Sequence, residues 1–469
     1  MADEERLEAM DTYTNTLNRQ GLGQLNWSNA IGYPLTRTTQ LYQLWNSLYR
    51  NNWIPAAIVD IPAEDMIKNW ITITSGLPPE DMDRIERSIR ITQTKAKLLE
   101  GIKWGRLYGG AAGLILIEGD DTEEALEQPL DLSRVRLGGY KGIRIFDRYV
   151  GIIPSVELVE DITSPDFGLP MYYSITGSAG STRGMRVHYS RILRFTGADV
   201  PEIERISEQY WGISVLERVL EEVAKRDNTS ANVAGLVERA NLLIRKVKNF
   251  SSRQAMLNED ARKEMYQTMS AQNTALDNFS SLIIGAEDDA MNLQYSFSGI
   301  SDVYENFMLD ISGAARIPAS KLYGRNPAGL NSTGEGDLQN YYDSISQEQE
   351  SHLRPILDKL LPVVAVSTWG FVPDDLDYTF NAARTVSEKE KAELATGIAS
   401  SVAQLVTASV ISPKQALKEL KAAAQLTGRW TNITDEEIEQ ADDYSGPAGE
   451  DLGAIADLIG GAAAEPEVQ

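Results

Sequence analysis

A chain of 469 residues, 42% of them apolar, is long enough to bury an extensive core and to divide into more than one unit. The absence of cysteine excludes disulfides, thiolate zinc sites and cysteine nucleophiles, and two histidines, His188 and His352, leave almost nothing for a histidine-rich metal site or relay. With 68 acidic against 44 basic residues the net charge is −24, the reverse of what a surface that grips phosphates tightly requires.

No apolar run approaches the ~20 residues that span a bilayer. The opening MADEERLEAM lacks the basic and apolar regions of a secretory signal, so the sequence predicts a soluble, unprocessed intracellular product. Residues 1–37 read as a polar arm, partly extended against a neighbour. Helical spacing follows in Leu41, Leu44 and Tyr49 and, after Pro55, in Ile58, Ile61, Met66 and Ile67. Residues 70–73 look like a short strand, and Pro78-Pro79-Glu80-Asp81 opens a further helix with an acidic first turn.

The glycines at 109, 110 and 113 invite a phosphate-cradle reading. They precede a strand rather than follow one, and no Gly-Lys-Ser/Thr comes after them, so a tight turn into a buried strand fits better. Residues 118–124 read as an acidic surface loop without the spacing of a calcium loop. Short β-rich pieces at 142–146, 172–176, 185–189 and 192–195 predict a mixed sheet packed on the earlier helices. His188, at a strand end, fits a satisfied structural histidine better than a catalyst.

From Ile213 through Leu216, Val219, Val223, Val233 and Val237 an amphipathic pattern predicts one long helix to Glu238. An insert follows: a strand over 241–247, a helix over 252–272 and a hairpin over 279–295. Basic Arg245, Lys246, Lys248, Arg253, Arg262 and Lys263 gather in it, without the interleaved aromatic platforms that stack single-stranded bases.

In the stretch 298–361, Ile300, Val303, Phe307, Ile311 and Ala314/Ala315 form a helical stripe that Pro318 brings to an end by Arg316. KLYGRNPAGLNSTG, 321–334, has three glycines and one proline and reads as a loop. Helical spacing resumes through Leu338, Tyr341/Tyr342, Ile345, Gln349, Leu353 and Leu357 and is expected to end near Pro362. A strand pair is expected over 369–381; its Asp374, Asp375 and Asp377 flank a proline turn without a partner cluster for a metal. Helices are expected over 388–407, 412–426 and 434–441, with Pro413 in a first turn, and 442–469 read as an acidic, Gly/Ala-rich mobile tail or docking peptide.

Ala315-Arg316-Ile317-Pro318, Lys321-Leu322-Tyr323-Gly324, the run PAGLNSTGE (327–335) and Tyr341-Tyr342-Asp343 resemble the core of tailed-bacteriophage portal proteins related to lambda-like and HK97-like portals. IVDIPAEDM (58–66), VHYSRILRF (187–195) and Trp211-Gly212-Ile213-Ser214 extend the resemblance in the family's order. It implies an α+β portal fold: N-terminal arm 1–37, wing 38–211, stem helix 212–240, clip 241–298, second stem helix 299–316, channel loop 317–335, long helix and return to the wing 336–385, helical crown 386–441 and acidic tail 442–469.

It further implies a ring, generally dodecameric, at one capsid vertex, through which double-stranded DNA is packaged and ejected, with no cofactor and no enzymatic activity. The virion would hold it after assembly in the host cytoplasm, and terminase, the major capsid protein and a head–tail adaptor or neck protein would be its partners, with no membrane. Lys321, Arg325, Asn326, Asn331 and Ser332 would then face the channel, with pairing to nearby carboxylates weighed equally for the two cations. Arg245, Lys246, Lys248, Arg262 and Lys263 would meet adaptor or terminase. An acidic balance suits a conduit, because each strong phosphate contact would resist sliding. Two rivals stay open: a virion adaptor or scaffold that is not a portal, and a metal-dependent hydrolase built on Asp/Glu clusters.

Overall fold

The computed structural model describes residues 41–176, 183–238, 241–246, 258–261, 263–264, 267, 289–294, 299–325, 334–384, 388–408, 410–430 and 432–441, in two units, Met1–Asn381 and Ala382–Gln469. The first opens with helices α1 (Tyr42–Asn51) and α2 (Trp53–Lys68), divided at Asn52, whose side chain accepts from the Ile54 N–H at 3.1 Å. Ile54, Ile58, Val59, Ala63, Met66 and Ile67 of α2 are all buried, so this helix runs through the core rather than along it. β1 (Ile71–Thr74), α3 (Pro79–Ile91) and α4 (Thr94–Tyr108) follow. Pro79 opens α3, and Glu80 and Asp81 complement the dipole in its first turn.

β2 (Gly110–Ile117), the short α5 (Glu123–Glu127), β3 (Tyr140–Asp147), β4 (Ile152–Pro154), β5 (Tyr172–Thr176), β6 (Arg183–His188) and β7 (Ile192–Thr196) come next. The strands make two three-stranded antiparallel sheets, ordered β3-β2-β7 and β4-β5-β6, in place of the single mixed sheet expected. Parallel pairing needs a crossover of a dozen or more residues, which the short links around β6 and β7 do not provide. Ala112, Leu114, Phe146, Tyr173, Ile175, Val187, Ile192 and Trp211 form one apolar cluster shared by both sheets. The glycine turn is as read: Gly109, at φ 82°, caps α4, and β2 behind it is buried almost throughout.

α4 lies very close to β7. A Cβ on Gly101 or Gly105 would run into Phe195, and one on Gly197 would strike the Ile213 carbonyl, so the crossing requires bare backbone at these points.

After α6 (Glu202–Ser207) the expected long helix is broken. Ser214 Oγ accepts from Leu216 N at 3.2 Å and starts a separate 3₁₀ turn, Val215–Arg218, so α7 (Leu220–Glu238) spans only roughly 28 Å at ~1.5 Å per residue. β8 (Asn241–Lys246) pairs antiparallel with β9 (Asp289–Gln294), and α8 (Ile300–Ala315) packs back on α7. The remainder of the expected insert, including its helix over 252–272 and the first arm of its hairpin, lies largely outside the described residues.

A short α9 (Ala319–Tyr323) precedes α10 (Glu335–Glu348), a π turn (Gln349–Leu353) and α11 (Arg354–Trp369). The helix does not end near Pro362, as the sequence suggested, but runs through it. Leu357, Leu360, Leu361, Val363, Val364 and Ala365 are buried around that proline, and their packing outweighs its cost of about 3 kcal/mol. β10 (Asp377–Phe380) is one strand rather than a pair; it joins β1, with Ile71 opposite Phe380, rather than either three-stranded sheet.

The second unit holds α12 (Glu388–Thr407), α13 (Pro413–Thr427) and α14 (Asp435–Gln440). Ser412 with Gln415 and Thr434 with Glu437 form capping boxes that start the last two where the sequence placed them. Ala395, Ala399, Ala416, Leu420 and Ile438 supply its small core.

Candidate functional site

The segment resembling the portal core starts where α8 stops. Arg316 takes a left-handed conformation, φ 56°, its N–H reaching back to Gly313, and Pro318 prevents the helix from resuming in register. The chain then makes one helical stretch, α9, with Ala319 and Leu322 buried, and leaves it at Gly324, φ 70°. Tyr323 packs edge-on against Trp53 of α2, ring centroids 5.6 Å apart. The loop expected from Lys321 onward therefore begins after Tyr323, because Ala319 and Leu322 find an apolar floor that periodicity alone does not reveal.

Lys321 is turned into the protein. Its Nζ lies 2.7 Å from Asp65 Oδ2 and 2.9 Å from Oδ1, donates to the Tyr342 hydroxyl at 3.1 Å, and sits over the Tyr341 and Tyr342 rings. Pairing with a carboxylate, one of the two roles weighed for this lysine, is met by Asp65. Burial by itself would pull the ammonium pKa down; hydrogen bonds to Asp65 and Tyr342 and the Asp65 charge more than offset that, and the net shift is upward.

Asp65 on α2 is itself buried and also accepts from Tyr341 Oη, on α10, at 2.7 Å. Burial and the neighbouring carboxylate drive the Tyr341 pKa far up, so it remains a donor. Two further ties fasten the far helix to the same body: Arg106 Nη1 lies 3.2 Å from Glu348, and Gln349 Nε2 donates to the Met66 carbonyl at 2.7 Å.

Arg325 is exposed, its Nη2 3.2 Å from Met308 Sδ, while Asn326, Asn331 and Ser332 lie outside the described residues. In the insert, Arg245 and Lys246 stand opposite Ala290 and Asp289 in the β8–β9 register, and Lys263 is exposed on a helical stretch. Lys248, Arg253 and Arg262 are outside the described residues.

Sequence reading missed Asp65, Tyr341, Arg106 and Glu348 as a group. A carboxylate spaced with Ile58 and Pro62, on the apolar face of α2 and away from its other charges, was the available signal for Asp65. It also missed Asp120: the acidic stretch 118–124 is exposed as read, except that this one side chain turns inward and is buried against Arg191. His188 is structural as expected, its Nδ1 2.9 Å from Ser190 Oγ. Among the described residues no three His, Asp or Glu side chains converge as a metal site, and no helix is long and apolar enough to cross a membrane.

These elements define an α+β protein in which paired helices carry a small sheet and α9 and α10 are tied to a mixed body. The chain belongs to the phage portal protein family, whose model matches residues 43–404. An uncharacterized protein of Haemophilus influenzae is 29% identical over 410 residues, 87% of this chain and 88% of that one. A Caulobacter protein named anti-CBASS protein Acb1 is 28% identical over 360 residues, 74% of this chain but 56% of the relative, so the chain spans little more than half that protein's length. Among solved structures, one titled the neck of a native GTA particle computed with C12 symmetry is 13% identical, with a TM-score of 0.44, covering 79% of this chain and 92% of that one.

Proposed function

We propose that this chain is a portal subunit: copies close into a dodecameric ring at one capsid vertex, and double-stranded DNA enters during packaging and leaves during infection through its centre. The observation that carries this reading is the family match over residues 43–404. Closure requires a head-to-tail contact whose rotation returns to the start. Val303 and Leu309 of α8 keep 44% and 36% of their surface exposed in the single subunit, apolar surface that neighbours in a ring would cover.

In the ring, residues 324–334 face the channel. The Lys321 amine is held by Asp65, so Arg325 offers the exposed cation at the loop's entry, while Asn326, Asn331 and Ser332 make exchangeable contacts with the backbone of the duplex. A net charge of −24 keeps phosphate attachment weak and lets the duplex slide. The ring is a structural conduit and not an enzyme; a separate terminase supplies the force and docks at the insert. There Arg245, Lys246, Lys248, Arg262 and Lys263 meet terminase or, after packaging, a head–tail adaptor. The major capsid protein surrounds the wing.

Negative-stain microscopy of the purified chain tests the reading: rings with a central hole support it, and monomers at every concentration overturn it. A second reading comes from the name of the Caulobacter relative. Protection of phage growth in cells carrying a CBASS defence, by a chain that forms no rings, would favour that one.

A further inference from the structure

We infer that Asp65 is the positioning residue of the channel loop, one buried carboxylate that fastens the segment entering the loop, through Lys321, and the segment leaving it, through Tyr341, to the same point on α2. The inference rests on the portal reading for its meaning, and on geometry for its content. Asp65 Oδ2 receives both donors, at 2.7 Å from Lys321 Nζ and 2.7 Å from Tyr341 Oη. These two residues lie on opposite sides of the loop, on α9 and α10, and the residue between them in space belongs to neither.

The attachment bypasses the stem. α8 ends at left-handed Arg316, and the Ile317 N–H turns back to Ser312, so the helical ladder of α8 does not continue into α9. The exit helix, by contrast, gains two more ties to the same body through Arg106–Glu348 and Gln349–Met66. Strain applied to the loop by moving DNA is therefore delivered chiefly to α2 and α4, and the side-chain link from the loop's entry to the stem is Arg325 Nη2, 3.2 Å from Met308 Sδ on α8.

Charge-assisted hydrogen bonds in a buried setting are the strong ones, and losing their shared acceptor strands two donors at once. Removing Asp65 therefore frees both loop ends together; removing the Tyr341 hydroxyl frees chiefly the exit side, while removing Lys321 frees the entry side and also takes away its bond to Tyr342 on α10.

Hydrogen–deuterium exchange of the full chain tests this. In Asp65→Leu, exchange is expected to rise roughly tenfold or more in both 319–323 and 335–345, with β2 and α11 unchanged. Lys321→Met, which also removes the donor to Tyr342, raises it most in the first segment and less in the second, and Tyr341→Phe raises it in the second with the first unchanged. Should Asp65→Leu fail to fold, Asp65→Asn, which keeps one acceptor oxygen, shows the same paired rise at smaller size. Unchanged exchange in both segments, or a rise in one alone, overturns the inference. Microscopy of the same samples separates the two levels: wild-type protein that never forms rings defeats the portal reading, while rings with unpaired exchange defeat only the role of Asp65.

Discussion

Arg191 and Asp120 form an ion pair of 2.6 Å with side chains only 2% and 5% exposed, and Arg191 Nε also donates to the Gln128 carbonyl at 2.9 Å. The pair pulls the turn after β2 onto the base of β7. Asp120→Ala leaves a guanidinium buried without its counter-charge, and the expected loss is about 3–5 kcal/mol. Arg84→Ala removes an ion pair whose arginine is largely exposed, and is expected to cost less than about 1 kcal/mol. Denaturant titrations of both variants check the contrast; equal losses would contradict it.

Glycine substitutions should change sign with position. Gly101→Ala drives a Cβ into the buried Phe195 ring, and overpacking of this kind costs about 1–3 kcal/mol. Gly336, inside α10, has nothing within 4 Å of the added atom, and Gly336→Ala is expected to stabilise by about 0.5–1 kcal/mol. Melting temperatures of the two variants should move in opposite directions.

His188 gives the protein a sensitivity to mild acid. Burial first, then the charges of Arg191 and Lys359, push its pKa below the ordinary value; Ser190, Tyr172 and Tyr189 complete its surroundings. Above the ordinary value of about 6.5 the ring is neutral folded or unfolded, and its contribution is intact. As pH falls below that point the unfolded chain takes up a proton first, and stability declines until the depressed folded value is passed. Between about pH 7.5 and about pH 5 the wild-type chain should lose more stability than His188→Gln, measured by urea unfolding; identical slopes would contradict this.

Much of the architecture was readable because its causes are local. Pro318 ends α8, Gly109 and Gly110 open β2, and Ser412 and Thr434 start the last helices, each through neighbours within a few residues. What stayed hidden depends on partners far along the chain. Asp65 meets Lys321 across 256 positions, Asp120 meets Arg191 across 71, and β10 finds β1 from the other end of the first unit. Pro362 misled for a related reason, since its local penalty is overridden by a buried helix face that only the assembled core supplies. The candidate channel residues divide similarly: Lys321 was recognised as a cation, but its direction was set by Asp65.

The central claim concerns where the loop lies in the assembled particle, and a cryo-microscopy reconstruction of the ring measures it directly. Gly324 and Gly334 should sit at the smallest radius of any part of the subunit, flanking the bore. A ring in which they lie at the outer rim, with other segments lining the hole, would contradict the account.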